Sequence, residues 1–337
     1  MTLNSIGDQA RAYALQVASN RIKTTMATLT QEVSSGQVAD IGQRVNGNTR
    51  ALSEIESRIR LTGQMQQNGA DAAIRLQAVQ DMFEGVRSTT ADLGMALGIS
   101  PFADEALLNT RTKEAVSAFT SVIQKFNGTN SNRHILSGDA SDIRPISEPG
   151  DILDSLQALT AGMTTADDVA QAIAGWFDAP SGGGGFLDVA YHGTFGPPQR
   201  IMVGEGVAVE METTAASPAV RDLLKGLATA AIIDRGALAG SHSEKAALLS
   251  IAGRTMITAD GTVLNEMGRV GLDQQTVQRA QVTNGASLNT LERARGDIRS
   301  ADPFETAAAL NEVQSQLESL YAVTARLSKL KLVDFLR

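Results

Sequence analysis

The chain has 337 residues, 42% of them hydrophobic but only 4% aromatic, with a formal charge of −8 and no cysteine. That apolar fraction suffices for real cores and excludes a disordered chain, while the shortage of aromatics favours long, thin helical packing over a deep globular core. The missing thiols exclude disulfides, thiolate metal sites and a cysteine nucleophile, and the lack of a Lys/Arg stripe interleaved with aromatics argues against nucleic-acid binding.

From Ser5 to Ser35 the residues Leu15, Ala18, Ile22, Met26, Leu29 and Val33 recur at spacings of three and four, which predicts one helical stripe ended by Gly36. A turn-rich connector from Gln37 to Gly47 follows. Asn48 is the expected cap of a second helix bearing Leu52, Ile55, Ile59, Leu76, Phe83 and Val86; run to Leu97, it would span roughly 75 Å. Ser100-Pro101 reads as the start of a third helix, with Leu108, Ala115, Phe119, Val122 and Phe126 on one face and an end near Asn127-Gly128.

At about Gly138 the chain changes character. Prolines and glycines cluster at Pro149-Gly150, Gly182 to Gly185 and Pro197-Pro198. The stretches 186–191, 200–203 and 207–212 show the apolar alternation of strands, interrupted by a helix around Ala166 to Phe177. Helix returns at Ser217-Pro218 and extends to about Asp234. Ser241-x-x-Glu244 has the form of a capping box opening a helix to Ile298. Asp302, Pro303 and Glu305 start a final helix whose stripe is Leu310, Val313, Leu317, Leu320, Leu327 and Leu330, with Arg326, Lys329 and Lys331 suiting its dipole at the end.

The expected fold is mainly α: a long antiparallel helical rod formed by the N- and C-terminal segments, with an inserted small α+β domain. Its expected parts are terminal assembly helices (1–40 plus 300–337), a helical rod (41–137 plus 217–299) and a β-rich outer insert (138–216). Twelve acidic residues against Arg144 and Arg200 give 138–216 a net charge of −10, leaving +2 for the rest. An acidic middle suits water, and nearly neutral ends can pack against copies of themselves. A helix such as 5–35, diluted by Thr24, Thr25, Thr28 and Thr30, is marginal alone and needs a partner, for which the helix from Phe304 to Phe335, of similar length and also striped, is the obvious candidate. The stripes leave open whether that partner lies within one core of the same chain or in another subunit. The twelve stripe residues of the two terminal helices are the candidate assembly interface.

Chemistry is sparse. Gly182 to Gly185 lacks the Gly-Lys-Ser/Thr of a phosphate loop and no helix is expected after it; Gly204-Glu-Gly206 has Val209 where a dinucleotide fingerprint needs glycine. His134, His192 and His242 lie in three segments without a metal-ligand companion. Asp167-Asp168 suits a helix N-terminus better than a calcium loop. Trp176 and Phe177 are expected in the core of the insert. No catalytic residue, cofactor or metal is expected. Met1 to Asp8 lacks the basic start and apolar run of a Sec-type signal, and no uncharged apolar stretch reaches the roughly 18 residues a membrane span requires.

Several pieces resemble the bacterial flagellin family, most closely its hook-associated branch: the first helix running into Val33-Ser-Ser-Gly36, the segment Asn132-Arg-His-Ile-Leu-Ser-Gly138, Tyr191-His-Gly193 followed by Arg200-Ile-Met-Val-Gly204, and Phe304-Glu305 through Leu317, Tyr321 and Leu327 to Leu336. Gln37 and Asp40 to Gly47 depart from the pattern of filament-forming members. The resemblance implies a non-enzymatic, secreted structural subunit of the extracellular flagellum, exported unfolded by the type III apparatus and joining hook to filament. It implies as partners copies of itself, neighbouring hook-associated or flagellin subunits, and an export chaperone on the C-terminal helix. A filament-forming flagellin and a cytosolic coiled-coil adaptor are the alternatives.

Overall fold

The computed structural model describes residues 6–335 other than 46, 100–103 and 131; the side chains of 6–8, 43 and 327–335 fall outside the described residues. The chain forms two compact units, Met1–Leu61 with Ala286–Arg337, and Thr62–Gly285. The division falls inside two long helices, α3 (Arg50–Ile99) and α9 (His242–Arg299). Among the described residues the secondary structure is mainly α with only two small antiparallel sheets, the fold class expected from the periodicity.

The first unit contains α1 (Ile6–Ser35), α2 (Ile41–Arg44) and α10 (Pro303–Phe335) with the adjoining parts of α3 and α9. Gly36, at φ +67°, ends α1 in a left-handed conformation that a side chain would disfavour. The chain then pairs with the link between α9 and α10: Gln37 and Ser300 form an antiparallel bridge, Val38 N–H donates to the Arg299 carbonyl at 2.9 Å, and Ala301 N–H donates to the Gly36 carbonyl at 3.0 Å. Asp302 caps α10, accepting from Phe304 N–H at 2.8 Å and Glu305 N–H at 3.1 Å. Since the end of α1 meets the beginning of α10, the two pack antiparallel along each other.

The second unit holds a continuous core running from Ala72 to Ala280. α4 (Glu105–Phe126) buries Leu108, Ala115, Phe119, Val122 and Phe126, the face its spacing predicts, and packs on α8 (Pro218–Ala231). Phe83 of α3 meets Phe126 edge-on at 6.2 Å. α3 and α9 run antiparallel, Gly69 lying by Gln281 and Gly98 by Gly253. At Gly253 the backbones come so close that a Cβ would collide with Leu97 and Gly98 main-chain atoms. Arg87 and Asp260 clamp the same pair of helices, Nε to Oδ1 at 2.7 Å.

The region 138–216 is not β-rich. It contains α5 (Pro149–Leu159), α6 (Ala166–Asp178), α7 (Phe186–Val189) and one hairpin, β3 (Gln199–Gly204) with β4 (Val207–Met211). Pro149, one of the clustered prolines and glycines, opens α5 at its first turn, where a missing N–H costs nothing, and so acts as a helix start. The alternation in 186–191 belongs to a helical turn whose loop is organised by Asp188: its carboxylate accepts from Gly182 N–H at 2.8 Å and Gly184 N–H at 2.7 Å. Those two bonds hold the Asp188 carboxyl below the usual carboxylate range. A helix therefore does follow the glycine run, but a side chain of the chain itself occupies the amides. Phe177 and Phe186 stack at 5.3 Å with Trp176 edge-on to both, and these residues join the common core.

Other starts also differ. Asp104, not Ser100, caps α4, accepting from Ala106 N–H at 3.1 Å; Ser100 and Pro101 lie outside the described residues. α3 starts at Arg50, one residue past the position a cap at Asn48 requires. Ser241 accepts from Glu244 N–H at 3.3 Å, but the Glu244 carboxylate turns away to accept from Ala166 N–H at 2.6 Å, so it caps α6 instead of completing its own capping box. The Thr165 hydroxyl and Asp168 complete the start of α6, with Asp168 N–H donating back to Thr165 at 3.2 Å.

The segment 132–138 ties the insert to the end of α4. A minimal hairpin, β1 (Thr129–Asn130) with β2 (Arg133–His134), puts His134 Nδ1 2.8 Å from the Asn127 carbonyl, and Leu136 is buried. The Ser137 hydroxyl donates to the Ile143 carbonyl at 2.6 Å, and Ser137 and Leu136 carbonyls accept from Thr194 and Ala215 N–H. Gly138 sits at φ +64° with its missing Cβ 2.7 Å from Thr194 Oγ1. Gly138→Ala is expected to lower stability by about 1–3 kcal/mol, because strain and a clash with an engaged hydroxyl coincide; chemical denaturation of the variant checks this.

Candidate assembly interface

Nine of the proposed stripe residues, Leu15, Ala18, Ile22, Met26, Leu29, Leu310, Val313, Leu317 and Leu320, are half-buried, and Val33 is exposed. Leu327 and Leu330 lie on α10, where only the backbone is described, so these side chains are outside the described residues. Among the described side chains of α1 none is fully buried, and on α10 only Thr306 is. The two helices thus cover one face of each other and leave the rest open.

The open faces carry residues that the regular stripes do not include. Phe304 is 87% exposed and Tyr13 71%, and Val17, Tyr321 and Val323 are also exposed. Tyr13, Val17 and Phe304 fall off the three-and-four spacing, whereas Tyr321 stands four past Leu317 and Val323 three past Leu320, so the stripe of α10 is broader than its six named residues. Lys23 Nζ stands 6.0 Å from the centre of the Tyr321 ring, a cation–π contact across the pair. The threonines of α1 are satisfied within the helix: Thr24, Thr25, Thr28 and Thr30 hydroxyls donate to carbonyls four residues back at 2.7 to 3.1 Å. With their donors already used, these side chains can enter a dry interface without leaving an unpaired hydroxyl.

All twelve acidic residues of 138–216 are exposed. Where the β3–β4 hairpin meets α9, Thr213 donates to the buried Glu266 at 2.6 Å and Arg269 bridges Glu266 and Glu212. Nearby, Asp273 is pushed above the ordinary carboxylate range, first by burial and then by Glu212 and Glu210, against the pull of Arg269. A raised folded-state pKa means that the fold disfavours the charged form; the penalty is absent below the unfolded value of about 3.9 and complete above the folded one. Asp273→Asn is therefore expected to raise stability at neutral pH and to leave it unchanged at pH about 3, which urea melts at the two pH values measure.

Among the described residues no group of three or more His, Cys, Asp or Glu could hold a metal ion, and no helix is long and apolar enough to cross a membrane. His134 and His192 are engaged locally, the latter with the Ser147 hydroxyl at 2.8 Å.

These features define a class: a mainly α chain whose two ends form an antiparallel helical pair and whose middle builds a separate core with a small α+β insertion. The fold is shared with a solved structure assigned as a flagellar hook-associated protein from Vibrio parahaemolyticus, at 13% identity over 74% of this chain and 96% of that one, with a TM-score of 0.51. Bacillus cereus FlgL aligns at 14% identity over 72% of this chain and 99% of that one, with a TM-score of 0.48. No family model and no curated protein matches the sequence.

Proposed function

We propose that the chain is a structural subunit of the bacterial flagellum, not an enzyme, and that it joins hook to filament by assembly of its terminal helices with neighbouring subunits. The observation that carries the reading is the half-covered α1–α10 pair, in which no described α1 side chain is fully buried. Such a pair gains too little from its own contacts to be stable unaided, and a second layer of helices supplies what is missing. The shared fold with a hook-associated protein supports the flagellar setting. In this reading 1–40 and 300–337 line the inner part of the assembly, the acidic segment 138–216 faces outward, and the subunit is exported through the type III apparatus with a chaperone on α10.

Deletion of the gene in its motile host is the test. The expected result is cells with hooks but no attached filaments, filament monomers shed into the medium, and the tagged protein located where hook meets filament. A protein confined to the cytoplasm, or one distributed along the whole filament, contradicts the reading.

A further inference from the structure

The solvent face of α9 carries a second apolar stripe outside the buried core, its first member, Ile257, leaning at one edge on Gly94 and Gly98 of α3. Ile257 and Leu264 are each 46% exposed, Leu272 66% and Val282 71%. Between them Gly261 and Gly268 have open space where a Cβ would stand, unlike Gly253, which α3 fills. From Ile257 to Leu272 the stripe extends about 22 Å. Its charge is one-sided. Between 250 and 285 the exposed residues of α9 include Arg254, Arg269 and Arg279 and no carboxylate. Asp260 is half-buried and tied to Arg87, Glu266 is buried, and Asp273 is half-buried. Arg269 is held by Glu266 and Glu212, whereas Arg254 and Arg279 form no ion pair among the described residues.

The complementary surface lies on the same chain. Of the twelve exposed acids in 138–216 only Glu148, Asp154, Asp178 and Glu212 sit in ion pairs among the described residues. Exposed apolar side chains stand among these acids at Ile143, Leu159 and Val189.

We infer that the Arg254–Val282 face of α9 docks the acidic insert of a second copy of this chain. Apolar side chains from the insert meet Ile257, Leu264 and Leu272 where the glycines permit close approach, and its carboxylates meet Arg254 and Arg279. Because the two patches are different surfaces of one molecule, each docked copy leaves one patch of each kind free. The contact therefore propagates into a ring or helix instead of closing as a dimer. It rests on the proposed self-assembly only in taking another copy as partner, since it uses neither α1 nor α10.

The chain has no cysteine, so introduced thiols report contacts without background. Full-length Leu264→Cys is mixed with full-length Leu159→Cys or Val189→Cys under mild oxidation, with Ser88→Cys, exposed on α3, as the control. The expected result is a mixed disulfide at least about fivefold above the control, falling to the control level at high salt and in the double variant R254E/R279E. The same cross-link is measured with Ile22→Asp added to both chains, which removes terminal-helix assembly and separates failure of that reading from failure of this one. Persistence there supports the contact. Cross-linking at control level, a Leu264→Cys chain that pairs chiefly with itself, or a yield insensitive to R254E/R279E overturns it.

Discussion

Replacing Gly253 by alanine is expected to destabilise the central core by about 3 kcal/mol, at the upper end of the usual cost of overpacking. The added Cβ would stand against the Gly98 nitrogen and Cα and the Leu97 carbonyl carbon, all main-chain atoms. No rotamer change relieves that contact, so α3 and α9 must separate and weaken the packing of Leu97 and Met256 and the Arg87–Asp260 pair. Gly226→Ala should cost less, because its nearest obstacle is the Met256 Cγ at 2.6 Å, on a side chain that can shift, while the Met256 main-chain nitrogen and Cα stand at 3.1 and 3.3 Å instead of below 3 Å. Gly175→Ala, in α6 with nothing within 4 Å, should be neutral or stabilising by up to about 1 kcal/mol. Urea denaturation of the three variants checks both the order and the change of sign.

Ile22→Asp is expected to abolish assembly while leaving the central unit as stable as before. Ile22 is half-buried on the stripe of α1, in the unit that excludes the core from Ala72 to Ala280. A carboxylate there is uncompensated wherever a neighbouring helix would cover it, and desolvating it costs several kcal/mol. Each 1.4 kcal/mol is tenfold in affinity, so the association threshold should rise by about a hundredfold or more. Sedimentation across a concentration series reads the first effect and the melting of the near-ultraviolet signal of Trp176 the second. Loss of both together would mean that the terminal pair is part of the central fold.

The long helices were legible because their apolar residues recur at three and four and their ends carry plain signals: Gly36 at positive φ, Asp302 on two backbone amides, and Asn127 after α4. Short elements were not. α5 has the helical triplet Ile152, Leu153, Leu156 behind a proline and a glycine that read equally well as a turn, and α7 is too short for a period to show. Glu244 was assigned to its own helix because local spacing suggested it, whereas only tertiary contact brings the α6 amide to it. The glycine contact between α3 and α9 depends on the register of helices far apart in sequence and leaves no local trace. For the terminal helices the stripes predicted a need for cover. They also pointed to the helix from Phe304 to Phe335 as the natural partner of α1, and the two do pair; what they did not disclose is that the pair stays half-open, leaving Tyr13, Val17, Phe304 and Val323 as further surface for a neighbour.

Hydrogen exchange on dilute monomer and on assembled protein tests the central claim most directly. Amides in 15–33 and 310–330 should exchange quickly in the monomer and become protected on assembly, while those of α4 and α8 stay protected in both. Strong protection of the terminal helices in dilute monomer, unchanged by assembly, would contradict the account.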